Sequence, residues 1–280
     1  MPLPKLSEIA QNIELRADGV WAARTASDVS YSEDGNELCF AVEDQSFWFL
    51  HRNNCILEVV KSFPAREFFD IGGGNGCVAR ALQDAGVEVV LVEPGPSGSR
   101  NAILRGVRNV VQGTMEDAGF LPETLPSVGL FDVLEHIRDD GAFMTEIHRL
   151  LMPGGRIYVT VPAYQWLWAG EDRDAGHWRR YTLRSLSSVL RSSGFTIEFA
   201  TYFFGFLPVP IFLFRTLPYR LGLSSKKKRM SYEATQSDHQ SGNSVVNQVL
   251  QFLTRTELSR MAAKIPCRFG GSCLAVARKC

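Results

Sequence analysis

The feature that most limits what this chain can fold into is an alternation of short apolar runs with helical patterns. Apolar runs occupy residues 67–71, 87–93, 107–113, 127–133, 155–162 and 195–203, and the segments between them repeat apolar residues at helical spacing. Strands that alternate with helices form parallel βαβ units with right-handed crossovers. We therefore predict an α/β fold of the Rossmann-like, doubly wound type. Its mostly parallel sheet has seven strands, the last of which, at 271–279, is antiparallel.

Four regions follow from this pattern. Residues 1–60 form an N-terminal cap or lid of helices, and residues 61–203 form the core of the sheet. Residues 204–270 are an insertion made of an apolar lid, a polar and mobile loop at 224–246, and a helix. Residues 271–280 return to the core as its final strand.

Composition excludes some classes of function. The 280 residues contain 30 Lys and Arg and 30 Asp and Glu, so no overall positive field attracts nucleic acid. The six cysteines form no CxxC pair, and the chain shows no leader pattern at its start. We expect a cytoplasmic protein in a reducing compartment, without disulfides and without a cysteine-based zinc site.

A glycine-rich turn follows the first core strand. Gly72, Gly73, Gly74 and Gly76 stand where a doubly wound sheet binds its ligand, and their bare backbone lets a ligand approach closely. The spacing is G-x-G-x-G, because Cys77 occupies the last position of the dinucleotide pattern G-x-G-x-x-G. The turn therefore predicts a nucleotide-like cofactor other than a dinucleotide.

Two carboxylates flank this turn. Asp70, near the end of the first core strand, would repel a pyrophosphate and attract a cationic ligand. Glu93 ends the next strand about 20 residues further on, the position from which a carboxylate bonds ribose hydroxyls. Both positions agree with the cofactor class that the glycines indicate.

These residues resemble a known family. The pattern Asp70-x-Gly72-x-Gly74-x-Gly76 with Glu93 is similar to that of the class I S-adenosylmethionine-dependent methyltransferases, as are the segments 131–140 and 150–162. The resemblance implies S-adenosylmethionine as cofactor and S-adenosylhomocysteine as product. It places Asp70 and the glycines at the amino-acid portion of the cofactor and Glu93 at its ribose.

The same resemblance suggests roles for residues further along the chain. Met115 would form an apolar wall beside the adenine, where Thr114 replaces the acidic residue usual in the family. Phe131 and Asp132 would lie next to the transferring methyl group, although Asp132 could instead cap a helix. The run Asp132-x-x-Glu135-His136 is close to a metal-binding run of some members, but we predict no metal.

The loop at 168–182 is predicted to face the methyl acceptor. Its aromatic and basic side chains suit an acidic or sugar-like group, whereas the plainer alternative is a solvated loop. A set of related bacterial enzymes shares its Gly-His-x-Arg-Arg-Tyr-Thr pattern. The residues predicted here to bind substrate are Trp168, Arg179, Arg180 and Tyr181.

An acceptor hydroxyl or ammonium must lose a proton, and histidine is the side chain suited to accept it near neutral pH. His177 is the first candidate for this general base and His136 the second. An aromatic cluster at 47–49 either covers the cofactor or packs the helix that carries it. We expect the cover, with Trp48 at the substrate and Arg52 at the cofactor carboxylate.

The predicted function is methyl transfer from S-adenosylmethionine to an oxygen or nitrogen of a small hydroxylated or acidic metabolite. A glycan or lipid-linked acceptor is the alternative, because the apolar run at 202–214 precedes a basic stretch and could lie on a membrane surface. A packed lid is the favoured interpretation of that run. Two further alternatives are an NAD(P)-dependent oxidoreductase and a catalytically silent cofactor-binding module.

Overall fold

The computed structural model of the protein describes residues 6–25, 37, 39–65, 67–222 and 245–280. The strands in these ranges are β1 Ile13–Leu15, β2 Trp21–Ala23, β3 Glu67–Ile71, β4 Glu88–Glu93, β5 Asn109–Gln112, β6 Leu125–Phe131, β7 Leu151–Pro162, β8 Phe195–Phe203 and β9 Ser272–Lys279. They form one sheet in the order β1-β2-β5-β4-β3-β6-β7-β9-β8.

Helices connect the strands and cover both faces of the sheet. They are α1 Leu6–Ile9, α2 Phe47–Ser62, α3 Cys77–Asp84, α4 Pro96–Leu104, α5 Met115–Ala118, α6 Asp140–Leu150, α7 Gly170–Asp174, α8 Leu183–Ser192, α9 Pro208–Ile211, α10 Leu217–Arg220 and α11 Val245–Ala262. A π-helical turn, Phe212–Thr216, joins α9 to α10 in one continuous helical segment.

The predicted fold class is confirmed. Strands β5, β4, β3, β6 and β7 are parallel to one another in this order. Strand β9 lies between β7 and β8 and is antiparallel to both. The order reverses at β3, since the chain runs outward from β3 to β5 and then returns to β6 on its other side. A ligand site is expected beyond the carboxyl ends of β3 and β6 at such a reversal.

The predicted number of strands was wrong. A hairpin of β1 and β2 adds two strands, and β2 pairs in parallel with β5 at the sheet edge, with Trp21 opposite Val111. The N-terminal region is therefore not made of helices alone. Each added strand has only three residues, too few for an alternation of apolar and polar side chains to be visible in the sequence.

Two apolar cores lie on opposite faces of the sheet. Alternate residues of the central strands point to opposite sides, so that Phe69 packs in one core and Phe68 in the other. The second core contains the inner faces of α2 and α3 together with Phe203, Phe204 and Met261. The N-terminal helix α2 and the C-terminal insertion thus share one core with the sheet.

The insertion leaves the sheet at the end of β8 and returns through β9. Residues 224–244 of the loop predicted there lie outside the described residues. Helix α11 packs against α2. Within the described ranges, each helix is too short or too polar to span a bilayer.

Candidate functional site

The glycine-rich turn lies between β3 and α3, at the point where the strand order reverses. Gly72, Gly74 and Gly76 have positive φ angles of 68°, 54° and 76°, a region that glycine occupies without steric cost. A Cβ atom on Gly73 would lie 2.7 Å from Oδ2 of Asp70 and 2.7 Å from Leu91. The turn is therefore closed to side chains by its backbone conformation and by its neighbours.

Asp70 points into the interior beneath this turn. Its side chain is fully buried, and among the described residues neither carboxylate oxygen accepts a well-formed hydrogen bond, although the Ala79 amide has a small effect that lowers its pKa. Burial raises the pKa of Asp70 to about 7, an effect that Arg52 opposes and Glu93 reinforces. A buried carboxylate that lacks donors is suited to bind a ligand that brings positive charge.

Glu93 holds the turn in place from the end of β4. Its carboxylate accepts hydrogen bonds from the amides of Gly74, at 2.9 Å, and Gly95, at 2.7 Å. Burial raises the pKa of Glu93, and these two amide donors act in the opposite direction. Because Gly95 directly precedes α4, Glu93 connects the glycine turn to the start of that helix.

Thr114 and Met115 lie at the start of α5, after β5. The Thr114 hydroxyl accepts a hydrogen bond from the Asp117 amide, and Asp117 in turn accepts one from the Thr114 amide. This capping box explains a threonine at the position as a helix start. The Met115 side chain is buried in the core next to the sheet.

Arg52, which is buried, and Asp132, which is half-buried, form an ion pair beside the end of β6. Their charged atoms are 2.7 Å apart, and Arg52 also donates to the Phe131 carbonyl at 2.9 Å. Asp132 has a φ angle of 59°, which is unusual for a residue other than glycine. Its carboxylate faces Arg52 and the Thr160 hydroxyl, so it does not cap the short helix Leu134–His136.

Phe131 and Trp48 form parts of the walls around this ion pair. Phe131 stacks on Phe68 in the core. Trp48 stacks on Phe204 with ring centres 5.7 Å apart, and the Arg52 guanidinium lies 5.4 Å from the Trp48 ring centre. Trp48 therefore contacts the first residues of the insertion and the arginine of the ion pair.

The predicted acceptor loop brings His177 to His136. Their rings meet edge to face with centres 4.7 Å apart. Asp172 holds the loop together, because its carboxylate contacts Nδ1 of His177 at 2.9 Å and accepts from Nε of Arg180 at 2.7 Å. Burial raises the pKa of Asp172, but these contacts outweigh burial and leave it below its usual value.

The remaining loop residues also contact protein groups. Tyr181 is buried and donates to Asp140 at 2.7 Å, and Arg179 forms an ion pair with the same carboxylate at 2.7 Å. Arg179 keeps about a third of its side chain exposed, whereas Arg180 is largely buried. Trp168 lies half-buried just before α7.

His136 and His177 differ in their surroundings. Burial and, to a lesser extent, the neighbouring His177 lower the pKa of His136 to about 4, against the opposing effect of Asp132. His136 is thus neutral at physiological pH. His177 has its Nδ1 atom bonded to Asp172, which leaves Nε2 as the atom available for other contacts.

Glu135 adds a third ligating group to the two histidines. One ligand atom from each of Glu135, His136 and His177 lies within 4.8 Å of the others, a donor set suited to a divalent cation. Glu135 is buried, and burial followed by the charge of Asp132 raises its pKa well above the usual value. A second such set, His51, Cys55 and Glu257, is fully buried between α2 and α11.

Sequence reasoning missed two residues of this site, Asp172 and Asp140, and considered a third, Glu135, only as part of a metal-binding run. Asp172 and Asp140 organise the acceptor loop, and Glu135 lies directly behind His136. Asp172 is five residues before His177 and eight before Arg180, so an acidic residue preceding the basic run was the available signal. Asp140 and Glu135 come from another segment, and nothing in the sequence indicates that they meet this loop.

The residues around the glycine turn fit a nucleotide cofactor that carries positive charge. The exposed backbone of the turn and the Asp70 carboxylate without a strong donor provide the two complementary surfaces. Glu93 uses one contact per oxygen on backbone amides and retains lone pairs for further donors. Arg52 is already paired with Asp132.

The fold is shared with solved methyltransferase structures. Phosphoethanolamine N-methyltransferase 2 of Haemonchus contortus aligns with 89% of this chain and 57% of its own at 18% identity, with a TM-score of 0.55. A methyltransferase of Haloferax volcanii, solved with the activator Trm112, covers 88% of this chain and 95% of its own at 15% identity, also with a TM-score of 0.55. These likenesses are evidence for the fold.

Sequence comparison identifies the family. A probable S-adenosylmethionine-dependent methyltransferase of Mycolicibacterium smegmatis is 23% identical over 167 residues, which are 59% of this chain and 65% of that protein, slightly under two thirds. A ubiquinone biosynthesis O-methyltransferase of Vibrio atlanticus is 26% identical over 39% of this chain and 48% of its own. Residues 51–198, more than half of the chain, match the methyltransferase domain family, and the protein therefore belongs to that family.

Proposed function

We propose that the protein is an S-adenosylmethionine-dependent methyltransferase that acts on an oxygen or nitrogen of a small hydroxylated or acidic metabolite. The observation that carries the proposal is the pairing of a side-chain-free glycine turn with the buried Asp70 carboxylate at the reversal of the strand order. A dinucleotide pyrophosphate would meet this carboxylate with like charge. This argues against the oxidoreductase alternative.

We assign the cofactor-binding residues from the resemblance to the family and from their positions in the sheet. Asp70 and the glycine turn would hold the amino-acid end of S-adenosylmethionine, Glu93 its ribose, and the region of Thr114 and Met115 its adenine. The Arg52–Asp132 pair would lie by the methyl group, with Phe131 as its apolar neighbour. The cofactor supplies a methyl group on a good leaving group, so that alignment and exclusion of water are the main tasks of the protein.

Replacing Gly73 by Ala is expected to weaken binding of S-adenosylhomocysteine by about tenfold or more, because the new methyl group would displace the Asp70 carboxylate or Leu91. Titration calorimetry measures the change. Gly141→Ala is the matched control, since a Cβ there has only Asp139 nearby, at 3.7 Å. Equal affinities of the two variants would argue against a cofactor site at this turn.

For the acceptor side, we propose that His177 is the general base. Asp172 accepts a hydrogen bond from Nδ1–H of His177, which leaves a lone pair on Nε2 to take the proton from the acceptor. His136 has a pKa of about 4 and is a weak base, so we assign it a positioning role through its ring contact with His177. Arg180 and Tyr181 hold the loop in place through their bonds to Asp172 and Asp140. Arg179 and Trp168 are partly exposed, and we assign them to contact with the acceptor.

Substituting His177 by Ala is expected to lower kcat by about 100-fold or more while leaving the affinity for S-adenosylhomocysteine unchanged. Asp172→Asn should show a smaller loss of the same kind, since it disturbs the orientation of the ring. His148→Gln, far from this loop on α6, serves as the control. Full turnover of His177→Ala across the pH range would remove its role as base.

The assay itself tests the function. Labelled methyl groups from S-adenosylmethionine are incubated with a host extract, which is then separated into aqueous, lipid and protein fractions. Label in the aqueous fraction supports the metabolite acceptor, and label in the lipid fraction supports a lipid-linked one. Repeating the assay with a chelator tests whether Glu135, His136 and His177 act through a metal ion instead, since metal removal would then abolish turnover.

The lipid-linked acceptor is kept as a second candidate because of one observation. The helical segment that follows β8 lies against the acceptor loop, with the Thr216 hydroxyl bonded to the Leu167 carbonyl and Arg220 to that of Trp166. This segment exposes large apolar side chains to solvent. A catalytically silent module remains the outcome if cofactor binds and no extract fraction is labelled.

A further inference from the structure

The helical segment 208–221 presents an apolar stripe to solvent. Val209, Leu213, Leu217 and Leu221 recur at every fourth residue and are all exposed, and Phe214 beside them is 78% exposed. Thr216 lies on the inner side of the segment, where it is buried and donates to the Leu167 carbonyl just before the acceptor loop. An amphipathic helix on a globular protein normally turns its apolar side inward, whereas this segment carries apolar side chains on its outer side as well as on its inner side, where Pro208 is buried and Phe212 packs on Trp166.

Helix α11 also exposes apolar side chains. Phe252 and Leu253 lie one turn after Val249 on its outer side, and Phe252 is 69% exposed. The inner side of α11 is set by Glu257 and Met261, which are buried against α2 and the end of β8. The insertion therefore carries two exposed apolar stripes, which are together called the apolar face: Val209, Leu213, Phe214, Leu217, Leu221, Val249, Phe252 and Leu253.

Positive charge accompanies the apolar face. The described residues of the insertion, 204–222 and 245–270, contain six basic residues: Arg215, Arg220, Arg255, Arg260, Lys264 and Arg268. The acidic residue within the same ranges is Glu257, which is buried and paired with His51. Arg215 also lies 3.9 Å from the exposed Glu171, a contact of little energetic weight. The chain as a whole has a net charge of zero, so this region is selectively basic.

We infer that the apolar face binds the surface of a bilayer that contains anionic lipids. Exposed aromatic and aliphatic side chains enter the boundary between headgroups and acyl chains, and flanking arginines bind lipid phosphates. Contact between two copies of the same face would instead bring like charges together. The described helices lie in the interface plane, since they are too short or too polar to cross a membrane.

The surface lies next to the acceptor loop. Helical segment 208–221 contacts residues 166, 167 and 170 of the strand-to-loop region after β7. A bound bilayer would therefore place lipid headgroups near the loop that carries His177. This last step rests on the proposed function, whereas bilayer binding itself does not.

Flotation of the purified full chain with vesicles tests the inference. We expect the protein to float with vesicles of phosphatidylglycerol and phosphatidylcholine, to float poorly with phosphatidylcholine alone, and to be released in part by high salt. The double variant Phe214→Ser, Phe252→Ser should bind the anionic vesicles about tenfold less. Leu104→Ser, which removes an exposed leucine from α4 on another surface, should bind like the wild type.

Four outcomes would overturn the inference. The first is that wild type binds neither kind of vesicle, and the second is that it binds both kinds equally. The third is that the double variant binds the anionic vesicles as well as wild type does. The fourth is that wild type lacks vesicle affinity but forms a dimer in sedimentation, which the double substitution converts to a monomer. All substituted residues are exposed, so circular dichroism and thermal melting should show an unchanged fold. Binding of S-adenosylhomocysteine is measured in parallel, which separates failure of this inference from failure of the proposed function.

Discussion

Replacing Asp70 by Asn is expected to weaken S-adenosylmethionine binding by about 100-fold and, at alkaline pH, to stabilise the ligand-free protein. The carboxylate is fully buried and accepts no well-formed hydrogen bond, so its charge is costly to the fold and available to a cationic ligand. Asparagine keeps the shape and removes the charge. Loss of function together with a gain of stability distinguishes a binding carboxylate from a structural one.

The pH dependence follows from the raised pKa. Asp70 has a pKa of about 7 in the folded chain and about 3.8 when unfolded, so the folded state binds more protons between these values. Stability from this group is complete below about pH 4 and is lost as pH rises through about 7. The asparagine side chain of the variant does not titrate, and its melting temperature should exceed that of wild type by about 2–8 °C at alkaline pH and by less at acidic pH.

Scanning fluorimetry at acidic and alkaline pH measures the stability, and calorimetry measures the binding. Asp84→Asn on the exposed side of α3 is the control, since its ion pair with Arg80 is solvated. Cofactor affinity of wild type should also strengthen as pH rises through about 7, with release of a proton on binding. A variant that binds the cofactor normally, or that melts lower at every pH, would contradict this account.

Replacing Glu257 by Leu is expected to destabilise the protein by about 3–5 kcal/mol, the largest stability loss among the changes considered. Glu257 is buried, accepts from the amides of Phe204 at 2.9 Å and Gly205 at 3.0 Å, and contacts Nε2 of His51 at 2.7 Å. Leucine would leave the buried Phe204 amide without its acceptor and the buried His51 ring without its carboxylate partner, and it would also remove the acceptor of the more exposed Gly205 amide. The contacts also attach α11 to α2, the helix that carries Arg52.

Thermal melting should show a fall of about 10 °C for Glu257→Leu. Glu257→Gln retains one acceptor oxygen and should lose less than half as much. Thr256→Ala, on the neighbouring exposed position of α11, should leave the melting temperature unchanged. Cofactor affinity of Glu257→Leu, measured well below its melting temperature, should fall less than that of Asp70→Asn, since Glu257 bonds the end of β8 and α2, whereas Asp70 lies beneath the glycine turn. An unchanged melting temperature would show that the buried contacts carry little stability.

Much of the sheet was predictable because its strands are long enough to show a pattern. The runs predicted as strands in the core before its final strand contain two to five buried residues in succession, and the longest of these successions belong to parallel strands that are covered on both faces. The hairpin of β1 and β2 escaped prediction since three-residue strands carry no period. The position of the hairpin beside β5 is decided by the tertiary packing of the N-terminal segment against the sheet edge.

The acceptor loop illustrates what the sequence left open. His177, Arg179, Arg180 and Tyr181 stand together in the chain and are predicted as a group that faces the substrate. In the folded protein Asp172 holds Arg180, and Asp140, which lies 41 residues earlier, holds Tyr181. A residue type indicates which interactions a side chain can make, but its partner is decided by distance and burial.

The sequence by itself determined the alternation of strands and helices, the glycine turn, and the two carboxylates at or near the ends of β3 and β4, because each of these depends on local spacing. Only the tertiary structure decided which charges pair, namely Arg52 with Asp132 and His51 with Glu257, and which apolar side chains stay exposed. Each pair joins segments that lie far apart in the chain, and its energy depends on the removal of solvent from both partners at once as those segments pack. The local spacing of residues in the sequence therefore does not indicate which of these charges pair.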